Sequence, residues 1–115
     1  IKDADKIIMS SPYLVKKPDY YKGKWNKLFN NDNRIEIEVG TGKGKFIISK
    51  AIKNPNINYI GIEKYDSVIA KALKKVPEGI HNLFMIRADA LDIDNIFDKE
   101  VEKIYLNLLQ YLYFS

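Results

Sequence analysis

Hydrophobic and polar residues alternate with two different periods along this chain. Ile35, Ile37 and Val39 are separated by single polar residues, which is the period of a β-strand. After Gly44 the apolar residues follow a helical period instead, and the helix has to end before Pro55. The two patterns recur further along the chain, so strands and helices are predicted to alternate.

These patterns predict a set of strands and helical segments of ordinary length. The predicted strands are residues 34–39, 58–63, 83–87 and 103–108. The predicted helical segments are residues 5–9, 24–29, 44–53, 67–76 and 92–97. Crossovers of this length join parallel strands and are right-handed. The predicted fold class is therefore α/β, an open parallel sheet with helices on both faces.

Length and composition limit the classes of protein to which this chain can belong. It has 115 residues, of which 46% are hydrophobic and 30% charged, as expected of one globular domain. Cysteine is absent and His81 is the only histidine, so neither a disulfide framework nor a metal site is expected. The longest apolar run, residues 104–114, contains polar interruptions and is too short for a membrane helix. We therefore expect a cytoplasmic protein without a membrane partner.

The net charge of +4 is concentrated at the beginning of the chain. Residues 1–28 contain seven lysines and three aspartates, whereas residues 29–115 carry equal numbers of basic and acidic groups. This asymmetry divides the chain into a basic N-terminal arm, residues 1–33, and an α/β domain, residues 34–115. A basic arm is typical of contact with a polyanion, and a solvated lysine-rich leader is the alternative.

Aromatic residues lie among the lysines of the arm and favour nucleic acid as the polyanion. Lysine binds phosphate groups, and an aromatic ring can stack on a base or a ribose. Lys22, Lys24 and Trp25 are the predicted nucleic-acid contacts.

A glycine-rich turn separates the first predicted strand from the helix that follows it. Gly40, Gly42 and Gly44 occupy alternate positions, and glycine permits positive φ angles and close approach of a ligand to the main chain. The helix after Gly44 directs free backbone N–H groups towards the same place. A strand, a glycine turn and a helix in this order are typical of a nucleotide-binding crevice.

Acidic residues follow three of the predicted strands. Glu38 lies near the end of the first strand, Glu63 ends the second and Asp89 follows the third. The carboxyl ends of parallel strands meet at one edge of a sheet, so these carboxylates are predicted to line one site. Glu63 is expected to accept hydrogen bonds from ribose hydroxyls. Asp89, beside the backbone of Ala90, is expected to accept one from an adenine amino group.

Glu38 discriminates between the nucleotides that such a crevice can bind. A carboxylate just before the glycine turn repels a pyrophosphate and attracts an ammonium or a sulfonium group. S-adenosylmethionine carries both cations and no phosphate, and the spacing G-x-G-x-G also differs from the dinucleotide pattern G-x-G-x-x-G. The predicted cofactor is therefore S-adenosylmethionine, and a dinucleotide-dependent dehydrogenase is disfavoured. The residues predicted to bind the cofactor are Glu38, Gly40, Gly42, Gly44, Glu63, Asp89 and Ala90.

Six runs of residues, in order from about residue 20 to residue 107, carry a resemblance to a known family. They are Tyr21-Lys22-Gly23-Lys24-Trp25-Asn26, Phe29-Asn30-Asn31-Asp32-Asn33, Ile37-Glu38-Val39-Gly40-Thr41-Gly42-Lys43-Gly44, Asn58-Tyr59-Ile60-Gly61-Ile62-Glu63, Ser67-Val68-Ile69 and Ile104-Tyr105-Leu106-Asn107. Together they resemble the bacterial tRNA (guanine-N7)-methyltransferase family. The resemblance implies a Rossmann-like methyltransferase sheet and methyl transfer from S-adenosylmethionine to N7 of a guanine in the variable loop of tRNA. It also matches Glu38, Glu63 and Asp89 to cofactor-binding positions.

The resemblance is lost after the fourth predicted strand. The family continues from the strand-four asparagine with Phe-Ser-Asp-Pro-Trp-Pro and a basic run, whereas Asn107 is followed here by Leu108 and an apolar tail. Gln110 stands at the position of the family's catalytic aspartate, so no catalytic residue is assigned. We expect the N-terminal half of the family fold, about four strands. A truncated chain, a chain joined across missing segments and a divergent end all account for this difference.

Two functions from different classes follow from the sequence. The first is a tRNA (guanine-N7)-methyltransferase, of which this chain is expected to be an incomplete form. The alternative is a non-catalytic nucleotide- or RNA-binding domain that keeps the methyltransferase fold. In both, strand four is predicted to be an exposed apolar edge that favours self-association. The chain is expected to dimerise, to aggregate or to fold its tail back as an extra strand.

Overall fold

The structure, a computed structural model, describes residues 3–107. Its helices are α1 (Ala4–Ser10), α2 (Trp25–Phe29), α3 (Lys45–Lys53), α4 (Asp66–Lys75) and α5 (Ile93–Ile96). Its strands are β1 (Ile35–Val39), β2 (Asn58–Glu63), β3 (Leu83–Arg87) and β4 (Val101–Leu106), and short 3₁₀ turns span Pro18–Tyr21 and Ala90–Asp92. The predicted end of strand four at Leu108 and the tail with Gln110 lie outside the described residues. None of the helices in the described part of the chain has the length and apolarity to cross a membrane.

The four strands form one parallel sheet in the order β3-β2-β1-β4, which confirms the predicted fold class. The first two crossovers move in the same direction across the sheet, so their right-handedness puts α3 and α4 on one face. The third crossover returns past β1, and α5 lies on the opposite face. The chain thus reverses direction between β1 and β4, and open α/β sheets bind ligands at the carboxyl end of such a switch point.

The strand β4 begins two residues earlier than the sequence predicts. Ile35 pairs with Val101, whereas the next residue of β1 pairs with Lys103. Glu102 is therefore an extra residue in a β-bulge. The bulge interrupts the alternation of side chains, so the sequence period does not reveal where this strand starts.

Each face of the sheet has its own hydrophobic core. The core under α1, α3 and α4 includes Ile8, Ile47, Ile69, Leu73 and Met85. The core under α2 and α5 includes Trp25, Phe29, Ile37, Ile60 and Ile96. Every residue of β1 is buried, including the polar ones that alternate with the isoleucines. Two carboxylates of this strand, Glu36 and Glu38, are consequently only 4% exposed under α3.

The N-terminal arm packs on the sheet of the α/β domain. Tyr13 accepts a hydrogen bond through its backbone oxygen from Met85 N at 2.8 Å, and Val15 N donates to Met85 O at 2.9 Å. Trp25 is fully buried, and its Nε1 donates to Ile96 O at 2.8 Å. These contacts join residues 3–33 to both cores, and the domain boundary after residue 33 stays a prediction.

Gly61, in the middle of β2, lies under the glycine turn with no room for a side chain. A Cβ atom at this position would lie 2.8 Å from Met85 Sδ and 2.9 Å from Thr41 Oγ1. We expect Gly61→Ala to lower the free energy of unfolding by about 1–3 kcal/mol, because an added methyl group overpacks a filled site. Urea denaturation of both proteins measures this difference.

The variant Gly79→Ala is a contrast, because it introduces backbone strain without overpacking. Gly79 has a φ of 84°, and a Cβ atom there would meet nothing within 4 Å, so this variant reports the strain of a positive φ alone. An unchanged stability of Gly61→Ala would show that Thr41 and Met85 yield without cost.

Candidate functional site

The glycine turn connects β1 to α3 and is tied to the end of β2. Gly40, Gly42 and Gly44 all have positive φ angles, of 77°, 61° and 83°. Gly40 N and Thr41 N both donate to Ile62 O at 2.9 Å, so one carbonyl group holds the beginning of the turn. The loop is thereby fixed against the sheet with its main chain close to the carboxyl edge.

Gly44 ends the turn and begins α3 in a space that admits no side chain. A Cβ atom here would lie 3.0 Å from Ile48 Cδ1 and 3.1 Å from Ala72 Cβ. Both the positive φ and the close packing of α3 on α4 therefore require glycine. This close approach holds the N-terminal end of α3, with its free N–H groups, at the carboxyl edge of the sheet.

Glu38 is a buried carboxylate with a single hydrogen-bond donor. Thr41 Oγ1 donates to Glu38 Oε1 at 2.5 Å. Burial raises the pKa of Glu38 from 4.5 to about 7, the hydrogen bond from Thr41 opposes this rise, and the nearby carboxylate of Glu63 adds to it. The charged form of Glu38 has no ion-pair partner among residues 3–107, so a positive group of a ligand would stabilise it.

Glu63 is buried as deeply as Glu38 but is better supplied with donors. Its side chain accepts hydrogen bonds from Gly42 N at 3.0 Å and from Tyr65 N at 3.1 Å. The residue is 2% exposed. Glu63 thus links the glycine turn to the loop after β2, and each of its oxygens keeps a lone pair for a further donor.

Asp89 lies further out along the same edge than the two glutamates. Ala88 N donates to Glu63 O at 3.2 Å, which joins the ends of β3 and β2. The carboxylate of Asp89 accepts a hydrogen bond from Leu91 N at 3.0 Å and lies 3.8 Å from Lys64 Nζ. It is half-exposed, and Ala90 after it starts a 3₁₀ turn. The acidic edge is therefore continuous from Glu38 to Asp89, with burial decreasing outwards.

A cavity of about 540 Å³ opens beside the glycine turn. Its walls are formed by Glu38, Thr41, Gly42, Lys43, Lys45, Phe46, Ser49, Val68 and Asn107. Of the predicted cofactor-binding residues, Glu38 and Gly42 line this cavity. The others, Gly40, Gly44, Glu63, Asp89 and Ala90, lie in the adjoining turn and along the strand ends.

The sequence alone did not single out three residues that shape this site. Thr41 supplies the hydroxyl that binds Glu38, Phe46 forms a wall, and Asn107 N donates to Val39 O at 3.0 Å where β4 meets β1. A hydroxyl residue three positions after a buried acid is a usable signal for Thr41. Phe46 has no such signal, because its position follows only from the way α3 packs.

The predicted nucleic-acid contacts differ in accessibility. Lys22 and Lys24 are exposed, and Lys24 Nζ lies 4.5 Å from the centroid of the Tyr20 ring. Trp25 has no exposed surface, so its ring offers no face to a base. The ring is buried because it fills the core between α2 and α5. A stacking role for Trp25 is therefore corrected to a packing role.

Metal-ligating side chains do not cluster in the described part of the chain. Residues 3–107 contain no group of three histidine, cysteine, aspartate or glutamate side chains that could hold a metal ion.

Burial of Glu38 makes the stability of the fold depend on pH. A carboxyl group whose pKa is higher in the folded state disfavours folding once it is ionised, so wild type loses stability as the pH rises from 4.5 to about 7. We expect Glu38→Gln, which stays neutral, to be more stable than wild type at pH 8 by at most about 3 kcal/mol. At pH 4.5 the difference should largely vanish. Urea denaturation at both pH values measures it.

Glu78→Gln is the matched control for this experiment, because it removes one carboxylate from an exposed position. An equal gain at pH 8 in both variants would attribute the effect to net charge and not to the burial of Glu38.

Comparison with known proteins gives a family for this arrangement of turn, acids and sheet. The model of the family described as "Putative methyltransferase" matches residues 32–108. Two solved structures share the fold. A structure of an antibiotic-related methyltransferase has a TM-score of 0.65 at 24% identity, over 78% of this chain and 50% of the other. The plantazolicin methyltransferase BamL, in complex with a triazolic desmethylPZN analog and SAH, has a TM-score of 0.53 at 20% identity, over 90% and 37%.

Curated relatives agree with the family model. A protein of Geobacillus sp. (strain WCH70) is 50% identical over 105 residues, which are 90% of this chain and 48% of the relative. A protein of Malacoplasma penetrans is 49% identical over 112 residues, with 93% and 51% covered. Both are named tRNA (guanine-N(7)-)-methyltransferase, which confirms the resemblance, and the chain spans about half of their length. Because the family model matches more than half of the chain, this protein belongs to that family of putative methyltransferases.

Proposed function

We propose that this chain forms the cofactor-binding half of an S-adenosylmethionine-dependent methyltransferase that acts on N7 of a guanine in tRNA. One observation carries the proposal. Glu38, a buried carboxylate that forms no ion pair in the described part of the chain, lines a cavity of about 540 Å³ next to a glycine turn. The proposed substrate is inferred from the names of relatives that are about twice as long as the chain.

The chemistry of the site fits S-adenosylmethionine better than a dinucleotide. A pyrophosphate at the turn would lie against Glu38, whose charge the site does not neutralise. An ammonium or sulfonium group would instead supply the missing positive charge. The free lone pairs of Glu63 suit two ribose hydroxyls, and the half-exposed Asp89 and Ala90 suit an adenine further along the edge. When bound, the cofactor supplies an electrophilic methyl group.

The reaction requires alignment of the two reactants and does not require a general base. Guanine N7 has a lone pair and no proton, so no side chain has to accept a proton before it attacks. The residues of this chain contribute by holding the reactants in line and by keeping water from them. The glycine turn and α3 provide a rigid floor for this purpose, because Gly44 packs closely on Ala72.

The membership of the chain in a methyltransferase family favours an enzyme over the non-catalytic alternative. The position that Gln110 takes in the sequence lies outside the described residues, and the catalytic group of the proposed enzyme is not assigned. We further propose that the protein acts in the cytoplasm, where tRNA is modified in bacteria. Lys22 and Lys24 remain proposed contacts of the arm with tRNA.

Removal of the Glu63 carboxylate tests the proposed cofactor site. We expect Glu63→Ala to weaken binding of S-adenosylmethionine at least about tenfold, because hydrogen bonds to a charged group contribute about 1.5–3 kcal/mol each. Isothermal titration calorimetry with S-adenosylmethionine and with NAD measures the affinities. Binding of NAD alone by wild type would contradict the proposal.

Two controls accompany this measurement. Glu63→Gln keeps an acceptor for the turn and separates loss of charge from loosening of the loop, while Glu78→Ala removes an exposed carboxylate. Methyl transfer to an unmodified tRNA transcript then distinguishes the enzyme from a binding domain that lacks the chemistry.

The exposed side chains of β4 support the prediction of self-association. This strand is at one edge of the described sheet, and Ile104 and Leu106 are 51% and 62% exposed. We expect light scattering to detect dimers or larger species, and fewer of them for Ile104→Thr/Leu106→Thr, because less apolar surface is then exposed. Leu91→Thr, at a residue that is 90% exposed elsewhere, is the control. A monodisperse wild-type monomer would refute the prediction.

A further inference from the structure

The two faces of the sheet carry opposite charge. The helices α3 and α4, on one face, contain six lysines and one aspartate, a net charge of +5. On the other face, residues 89–102 contain six acidic residues and one lysine, a net charge of −5. A polyanion is therefore attracted to the helices of the first face and not to the acidic segment of the second.

A groove on the basic face adjoins the proposed cofactor cavity. It has a volume of about 320 Å³ and is lined by Lys45, Ile48, Ser49, Ile52, Lys53 and Lys75. Lys45 and Ser49 also line the 540 Å³ cavity beside the glycine turn. The α3–α4 groove, as we name it, therefore leads from the carboxyl edge along α3 to the last turn of α4.

The lysines of this groove are available to a ligand. Within residues 3–107, Lys45, Lys53 and Lys75 form no ion pair. The eight steps from Lys45 to Lys53 rise about 12 Å along the helix, which is about three nucleotides at an axial spacing of 3.4 Å per strand. Ile52, which is 59% exposed, gives the groove an apolar floor for sugars or base faces.

The lysines of the N-terminal arm have a different environment. Gly23 N and Trp25 N both donate to the carboxylate of Glu100, at 2.6 and 3.2 Å. A Cβ atom at Gly23 would lie 3.8 Å from a carboxylate oxygen of Asp98. The arm thus runs beside the acidic segment, which offsets its positive charge, whereas the lysines of α3 and α4 form no ion pair within residues 3–107.

We propose that the α3–α4 groove holds the sugar-phosphate backbone of the RNA strand whose guanine meets the cofactor bound in the cavity at Glu38. The inference rests on the proposed function, since it names the surface by which that function recognises its substrate. An RNA strand is favoured over an acidic protein because the strand that carries the reacting base has to continue along a surface next to this cavity. The basic groove is the adjoining surface that phosphates fit.

The test compares two pairs of lysines that carry the same charge on opposite faces. Lys53→Gln/Lys75→Gln removes two charges from the groove, outside the cofactor cavity. Lys27→Gln/Lys99→Asn removes two exposed charges from the other face, and asparagine tolerates the positive φ of residue 99. Binding of an unmodified tRNA transcript is measured by filter binding across a range of salt concentrations, and binding of S-adenosylmethionine by calorimetry.

We expect the groove pair to weaken tRNA binding about tenfold at low salt and to reduce the salt slope by about 1.4, with cofactor affinity unchanged. The control pair should keep both the affinity and the slope nearly at the wild-type values. Equal losses of tRNA affinity in both double variants would contradict the proposed role of the groove. A groove variant that binds tRNA like wild type would contradict it as well. A groove pair that loses affinity for polyglutamate as much as for tRNA would also overturn it. Failure of wild type to bind both cofactor and tRNA would instead refute the proposed function.

Discussion

Two buried carboxylates hold the glycine turn, and the rest of the site depends on this interaction. Glu63 accepts hydrogen bonds from Gly42 N and Tyr65 N, whereas Glu38 has the hydroxyl of Thr41. Burial of a carboxylate is unfavourable unless donors replace the water that it loses. Two backbone N–H groups replace this water at Glu63, whereas burial raises the pKa of Glu38 to about 7. A positive group of a ligand next to Glu38 would stabilise its charged form, which forms no ion pair within residues 3–107.

The packing of the sheet makes this arrangement possible. Thr41 reaches Glu38 because Gly61, on the neighbouring strand, has no side chain to occupy the same space. Gly44 lets α3 approach α4 closely, which brings the beginning of the helix to the edge where the strands end. Glycine is thus required for contact between elements as well as for the shape of the turn. A site of this kind is rigid because core packing and site geometry use the same atoms.

The direction of the crossovers decides how charge is distributed over the surface. Right-handed connections put α3 and α4 on the same face, and three of their six lysines consequently line one groove. The return to β4 puts the acidic segment on the opposite face, beside the N-terminal arm. A charge count along the chain locates the positive excess in the arm. In the folded protein, however, the arm lies next to the acidic segment, whereas the lysines of α3 and α4 form no ion pair within residues 3–107.

The sequence by itself determined the alternation of strands and helices, the glycine turn and the three acids at the strand ends. These follow from local periodicity and from the chemistry of residues close in the chain, which do not need tertiary contacts to be recognised. The start of β4 was predicted two residues too late because a bulge at Glu102 interrupts the two-residue period of the strand. The predicted contact of Trp25 with nucleic acid was wrong because aromatic residues near lysines pack in a core as readily as they stack on bases.

Only the tertiary structure decided which atoms meet at the site. It brought Thr41 to Glu38, put Gly61 beneath them, and buried two carboxylates of β1 that an alternating pattern would leave half in solvent. It also separated the basic helical face from the acidic segment. Burial and long-range electrostatics depend on distances between elements far apart in the chain, and those distances are set by strand order and by the hand of the crossovers.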